Sequence, residues 1–319
     1  MAAILYDALI VGGGPAGLSA ALTFGRQNMR AIVFDSGRYR NAPADFMHMV
    51  PGVDHVAPAE FRATARAQIT GHYHSITIAE GVELTKAKKL DNGFEVANES
   101  GTVWQGKKLI LATGIQDVPL DIPGYADLWG TGIYHCLFCK GYEQRGDSSA
   151  ILAVGSLEHV GHALHVARMA SSLSDIVTIY TNGNSQLAGE IEAKFGATKV
   201  MKTDARKITQ FSRGPKNKEV TVYFDDGTTE THVFISHQPV VNHSSSLADQ
   251  LGLERTASGE ISVTPPFQQT SVRGVFAAGD ASSMMKTAPN AIYTANFAGA
   301  GAIMQVQADL HGQEPLMPI

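Results

Sequence analysis

Between two apolar runs, Ala8–Val11 and Ala31–Phe34, the chain reads Gly12-Gly13-Gly14-Pro15-Ala16-Gly17, and this segment restricts the fold more than any other. The pattern G-x-G-x-x-G assigns each glycine a task. Gly12 permits a tight turn, Gly14 lets the backbone approach a pyrophosphate, and Gly17 allows a helix to pack close on a strand. Pro15 then sits near a first helical turn, followed by Ala16, Leu18, Ala20, Ala21 and Leu22. The helix N-terminus offers N–H groups and partial positive charge to phosphates. Asp35 lies 23 residues beyond Gly12, close to the spacing of about 20 expected of a ribose-binding acid. Strand, turn, helix, strand and acid in that order predict a βαβ unit that binds a dinucleotide through Gly12, Gly13, Gly14, Pro15, Ala16, Gly17 and Asp35. The alternative is a tight strand–helix turn without a ligand.

A similar unit begins at Ala150. Ile151–Val154 reads as a strand, Gly155–Gly161 as a turn, Ala163–Met169 as a helix and Ile176–Tyr180 as the next strand. The chain thus carries a weak internal repeat. Between the repeats runs a β-like stretch, Ser75–Val103, that leads to the strand Leu109–Ala112. Proline-bearing segments at Val118–Gly124 and His237–Val241 read as hinges. Val275–Ala278 and an Ala/Gly-rich helix close the chain. The prediction is an α/β fold of two Rossmann-like, three-layer dinucleotide-binding domains. One is discontinuous (1–117 and 243–319), and the other is inserted at 118–242. A length of 319 residues suits two domains, and 44% apolar with 17% charged residues argues against global disorder.

The formal net charge is −5 and no basic block is present, so neither nucleic acid nor an anionic membrane is an expected partner. No apolar run reaches the roughly 18 residues of a membrane span. The N-terminus reads directly into a strand without the pattern of a signal peptide, so a cytoplasmic location is expected.

The two cysteines, Cys136 and Cys139, lie in His135-Cys136-Leu137-Phe138-Cys139-Lys140-Gly141-Tyr142. Two thiols at this spacing can close a reducible disulfide, and a nearby cation stabilises the thiolate that exchanges electrons. Lys140 and His135 are candidate sources of that charge. A structural zinc site needs four protein ligands and no second pair exists, while a c-type haem needs His directly after the second Cys. No metal site is therefore expected. A pair of inert buried thiols is the remaining alternative.

Leu111-Ala112-Thr113-Gly114 and Gly274-Val275-Phe276-Ala277-Ala278-Gly279-Asp280 resemble the second and third FAD motifs of the two-dinucleotide-binding flavoproteins. That resemblance implies FAD as the cofactor, with Thr113, Gly114 and Asp280 in its site and Asp280 on the ribityl chain. A helix cap is the plainer reading of Asp280. With the CxxC in the inserted domain, nearly the whole chain resembles the low-molecular-weight thioredoxin reductases. The family implies a homodimer, with Cys139 facing the flavin and Cys136 exchanging with substrate. Asn290 and Ala291 match the region that approaches the isoalloxazine, although Pro289 replaces part of the usual pair there.

Two departures concern the nicotinamide site. Its loop reads Gly155-Ser156-Leu157-Glu158-His159-Val160, with Leu157 where a glycine should meet pyrophosphate, so that its side chain would fill that space. Thr181-Asn182-Gly183 stands where the family carries basic residues for a 2′-phosphate. Losing charge-assisted phosphate bonds costs about 1.5–3 kcal/mol each. The family's acid after the second Cys is Lys140 here. The stretches at His135–Glu143 and Ser36–Ala42 resemble the dithiol oxidases of the gliotoxin and holomycin type. The resemblance implies an FAD-dependent oxidase that forms a disulfide in a small-molecule dithiol and reduces O2 to hydrogen peroxide. Ser36, Arg40, Asn41 and His48 become candidates near FAD, with a solvated surface role as their alternative, and His135 is the candidate base, with a packed or hydrogen-bonded histidine as its alternative. Two competing functions are an NADPH- or ferredoxin-linked disulfide reductase and a flavin-binding protein without turnover.

Overall fold

The computed structural model describes residues 5–216, 218–243 and 245–315. The chain divides into two compact units: Met1–Ala42, Val56–Gln116 and His243–Ile319 form the first, and Pro43–His55 with Asp117–Asn242 the second.

The first unit is built on a seven-stranded sheet. Leu5–Val11 lies between Ala31–Asp35 and Val103–Leu111, parallel to both, so that Leu9 pairs with Ile32 on one side and Leu109 on the other. Ile76–Glu80 extends the sheet beyond Ala31–Asp35, and Val275–Ala277 pairs with Val103–Leu111. Gly93–Asn98 and Leu84–Leu90 continue it in antiparallel fashion. The apolar run Ala8–Val11 is continuous because both faces of its strand are covered. Ala8 and Ile10 pack with the helices Pro15–Arg26 and Ala288–His311, while Leu9 and Val11 join Phe34, Phe94, Leu109 and Val275 on the opposite face.

The second unit repeats the scheme. Its five strands run Met201–Asp204, Ser174–Tyr180, Gly146–Leu152, Ile235–Ser236 and Ile133–Tyr134 across the sheet. Ile151, Ala153, Val177 and Ile179 pack against the helix Val160–Ala170. Ala150, Leu152 and Tyr180 face the antiparallel sheet of Ile208–Arg213, Val220–Phe224 and Thr229–His232. Leu5–Val11 in the first unit and Gly146–Leu152 in the second each have the next strand of the chain on one side and a later one on the other. That reversal of strand order leaves a crevice at the carboxyl ends of the strands, where doubly wound sheets bind ligands.

One segment departs from the expected boundaries. Pro43–His55, read from sequence as part of the first domain, groups with the second. The reason is its partners: Asp45 pairs with Lys218 at 2.6 Å, and His48 Nδ1 lies 2.7 Å from the Cys139 carbonyl oxygen.

Candidate functional site

In the first unit the glycine loop stands at the carboxyl end of Leu5–Val11. Gly12 has φ +117°, and a Cβ there would lie 2.1 Å from the Ala112 carbonyl oxygen. A Cβ on Gly17 would lie 1.7 Å from the Gly12 oxygen, so the helix seats against the strand only without a side chain. Gly13 backs onto Asp35, whose Cγ would be 2.1 Å from an added Cβ. Gly14 differs from the other three. It is the N-cap of Pro15–Arg26, has an unstrained φ of −79°, carries no side-chain cap, and faces nothing within 4 Å. Gly12, Gly13 and Gly17 are therefore required by the protein's own packing, and Gly14 is not.

Asp35 ends its strand in a buried position. Its Oδ1 accepts from Gly37 N at 2.9 Å, and its Oδ2 accepts from Tyr39 Oη at 2.7 Å and from the Arg66 guanidinium. Burial raises the Tyr39 phenol above its usual pKa, and the bond to Asp35 adds to this, so Tyr39 remains a donor. Ser36 Oγ accepts from Arg38 N at 3.4 Å. Asn41 Oδ1 accepts from Arg62, whose guanidinium lies 3.7 Å from the Tyr39 ring centroid. The sequence reading missed Tyr39, Arg62 and Arg66. The two arginines are four apart on Pro58–His72 and so share one helix face.

The remaining first-unit candidates close onto the same loop. Thr113 and Gly114 follow Ala112, the residue that Gly12 abuts. Asp280 lies in the short turn Gly279–Ala281 and accepts from Arg40 Nη1 at 3.0 Å. Thr287, not Asp280, caps the long helix Ala288–His311. A Cβ at Gly279 would touch Ala16 Cβ at 3.0 Å and Ala291 Cβ at 3.6 Å. Asn290 Nδ2 donates to the Met285 carbonyl at 2.8 Å. Pro289 sits in the first helical turn, where its missing N–H costs nothing, so the helix is intact. Asp35 with Gly13, Ala112 with Gly12, Ala16 with Gly279 and Ala291, and Arg40 with Asp280 make one contiguous surface.

In the second unit Cys136 and Cys139 form a disulfide with Cα atoms 5.3 Å apart. Lys140 N donates to the Cys136 carbonyl at 3.0 Å, and Cys139 N approaches Cys136 Sγ at 3.1 Å, so the pair is wound into a single turn. Leu137 anchors that turn in the core, whereas Phe138 is 68% exposed. His135 is half-buried and stacks on Trp129, ring centroids 5.9 Å apart. His48, a candidate for the cofactor site, lies beside the cysteine turn through its 2.7 Å contact with the Cys139 oxygen, and its Nε2 lies 3.3 Å from Glu143 Oε1. Burial lowers the Lys140 pKa, opposed by the charge of Asp45.

The turn after Gly146–Leu152 corrects one expectation. Leu157 does not fill a phosphate space. The tight turn Gly155–Leu157 swings it inward, where it is 0% exposed among Ile151, Ala153 and Ala163. The helix N-terminus is closed differently: His159 is the N-cap, and its Nδ1 accepts from Gly161 N at 3.1 Å. Glu158 accepts from Asn184, Asn182 Oδ1 accepts from Ile208 N, and Arg206 is tied to Asp204 and Glu230.

Comparison with known proteins agrees with this architecture. The sequence profile described as pyridine nucleotide-disulphide oxidoreductase matches residues 6–295. The chain is 57% identical to thioredoxin reductase tcpT of Claviceps purpurea (strain 20.1) over 316 residues, covering 99% of this chain and 98% of that one. It is 42% identical to thioredoxin reductase aclD of Aspergillus oryzae, covering 97% and 99%. The crystal structure of putative thioredoxin reductase TrxB from Bacillus anthracis shares the fold, with TM-score 0.83 at 23% identity over 96% and 99% of the two chains. Among the described residues no helix is long and apolar enough to cross a membrane. A profile matched over most of the length, relatives matched end to end and a closed CxxC pair together establish that this chain belongs to the pyridine nucleotide-disulphide oxidoreductases, as a thioredoxin-reductase-like disulfide redox enzyme.

Proposed function

We propose that the chain is an FAD-dependent thiol oxidase that closes a disulfide in a small-molecule dithiol and passes the electron pair to O2, giving hydrogen peroxide. The observation that carries this reading is the contrast between the two helix N-termini. The one at Gly14 has no side-chain cap and open space in front of it, whereas the one at His159 is closed by an imidazole. The first suits a pyrophosphate. The second has one donor taken up by its own cap, and the Arg206 guanidinium of the same unit is tied to Asp204 and Glu230.

FAD fits the first unit: Gly12–Gly17 would hold the pyrophosphate, Asp35 and Ser36 the ribose, and Arg40, Asn41, Thr113, Gly114, Asp280, Asn290 and Ala291 the remainder. Held there, FAD would supply the redox chemistry, accepting the electron pair of the reduced cysteines and passing it to O2. The protein's own chemistry is thiol–disulfide exchange. A substrate thiolate attacks Cys136 Sγ, the Cys136–Cys139 bond breaks, and Cys139 leaves as a thiolate. The second substrate thiolate attacks the substrate sulfur of the mixed disulfide and expels the Cys136 thiolate, so one disulfide is made as one is consumed. His135, adjacent to Cys136, takes the proton that activates the attacking thiol.

A disulfide reductase is the second reading, favoured by the names of the relatives. Anaerobic titration separates the two. Dithiothreitol alone should bleach the 450 nm flavin band of an oxidase, and air should restore it with consumption of O2. Rapid bleaching by NADPH instead would overturn the proposal.

A further inference from the structure

Beside the cysteine turn, two histidines and a glutamate converge. Met47–His55 is a compact loop in which His55 N donates to the Met47 carbonyl at 2.9 Å and Met49 N to Asp54 Oδ1 at 3.2 Å. The loop forces Met49 and His55 to positive φ values of 69° and 60°. It turns the imidazoles of His48 and His55 to one point. His48 Nε2 is 3.3 Å from His55 Nδ1 and 3.3 Å from Glu143 Oε1, and the ligating atoms of all three residues lie within 4.8 Å of one another.

Two features give this cluster the character of a metal site. The first is hydrogen placement. His48 Nδ1 lies 2.7 Å from the Cys139 carbonyl oxygen, and His55 Nε2 lies 3.4 Å from Asp54 Oδ2. A carbonyl oxygen only accepts, so a neutral His48 carries its hydrogen on Nδ1 and presents the lone pair of Nε2 to His55 Nδ1 and the Glu143 carboxylate. The Nε2 lone pair and the carboxylate are both acceptors, and a cation between them removes their repulsion. An oxygen behind each imidazole is also the outer-shell arrangement that orients metal-binding histidines. The second feature is spacing. Tetrahedral zinc, with bonds of about 2.0–2.1 Å to nitrogen and oxygen, sets its ligand atoms roughly 3.3–3.4 Å apart. Both distances from His48 Nε2 match that edge.

We propose that His48 Nε2, His55 Nδ1 and the Glu143 carboxylate bind Zn2+, with a fourth position open. The ion would pin the loop Met47–His55 to the turn Tyr142–Gln144 that follows the cysteine pair. The site does not depend on the oxidase reading, since no thiol is a ligand.

The test is calorimetric titration of tag-free, flavin-loaded protein with ZnCl2. The cysteines are kept as the disulfide so that they cannot ligate, and MgCl2 serves as the control. One Zn2+ per chain is expected, with X-ray absorption showing nitrogen and oxygen but no sulfur neighbours. His55→Ala and Glu143→Gln should each weaken Kd by more than about 100-fold, and Asp54→Asn by about 10–100-fold, the range for lost outer-shell support. Circular dichroism confirms that the variants are folded, and the double variant Cys136→Ser/Cys139→Ser should bind zinc like the parent. Absence of zinc uptake, as for a cluster satisfied by a proton alone, overturns the proposal. So does uptake that His55→Ala and Glu143→Gln leave unchanged.

Discussion

Replacing Gly14 with alanine separates a ligand-binding glycine from a folding one. The backbone at Gly14, φ −79° and ψ −174°, is open to alanine, and an added Cβ meets nothing within 4 Å. The folding cost is that of a poorer N-cap, about 0.5–1 kcal/mol. In a unit of this size that moves the apoprotein melting point by roughly 1–4 °C. The cofactor cost is larger. A methyl group in front of the helix N-terminus displaces an anion from the backbone N–H donors, and charge-assisted bonds contribute about 1.5–3 kcal/mol each. Loss of two comes to at least about 3 kcal/mol, or roughly a 100-fold weaker Kd for FAD. Reconstitution of apoprotein with FAD, followed at 450 nm, measures this directly, with thermal melts of the apoprotein as control. Gly17→Ala provides the contrast: its Cβ would lie 1.7 Å from the Gly12 oxygen, so it should fail at folding itself. A Gly14→Ala protein that binds FAD within about threefold of the parent would refute the assignment of the loop to the pyrophosphate.

Cys136→Ser and Cys139→Ser should each abolish O2 consumption with dithiothreitol while the flavin content stays at the parent level; turnover in either variant contradicts the exchange scheme. The second unit should weaken in acid. Burial holds both His232 and His237 at about 4, while the unfolded chain protonates them near 6.5. Stability is thus full above that value and is lost as pH falls from about 6.5 toward 4, by about 2–3 kcal/mol per histidine. In Trp104→Phe, Trp129 fluorescence reports urea unfolding of this unit, and a midpoint unchanged between pH 7 and 4.5 would contradict the prediction. Burial alone would raise the Glu260 pKa, but hydrogen bonds from Lys286, Ser258 and Thr256 outweigh it and hold the carboxylate at about 2. Glu260→Gln should destabilise the apoprotein by about 1–3 kcal/mol, because Lys286 Nζ, now 2.8 Å from Glu260 Oε1, loses its counter-charge; an unchanged melt would show that the pair contributes nothing.

What the sequence reveals here is what short-range geometry dictates. Gly12, Gly17 and Asp35 are readable because strand, turn and helix fix their relations within one βαβ unit, and Asp280 because it follows the strand Val275–Ala277 in a short turn. The grouping of Pro43–His55 is hidden, since His48 meets Cys139 across 91 positions and no periodicity announces such a contact. The same separation conceals the cluster of His48, His55 and Glu143. Leu157 shows the limit of reading by substitution. A glycine replaced by leucine suggests a blocked site, but the tight turn buries the side chain, and it is His159 that closes the helix end. Tyr39, Arg62 and Arg66 escape notice because polar residues around an acid look like solvated surface until the helix Pro58–His72 is placed against it.

The assignment of Pro43–His55 bears on how the protein can be taken apart. A fragment cut at the two hinges would leave behind Asp45, the salt-bridge partner of Lys218, and the imidazole that touches the Cys139 carbonyl. The CxxC module is therefore not a portable cassette, and a chimera that transplants it needs the recipient to supply a matching thirteen-residue strap from elsewhere in its sequence.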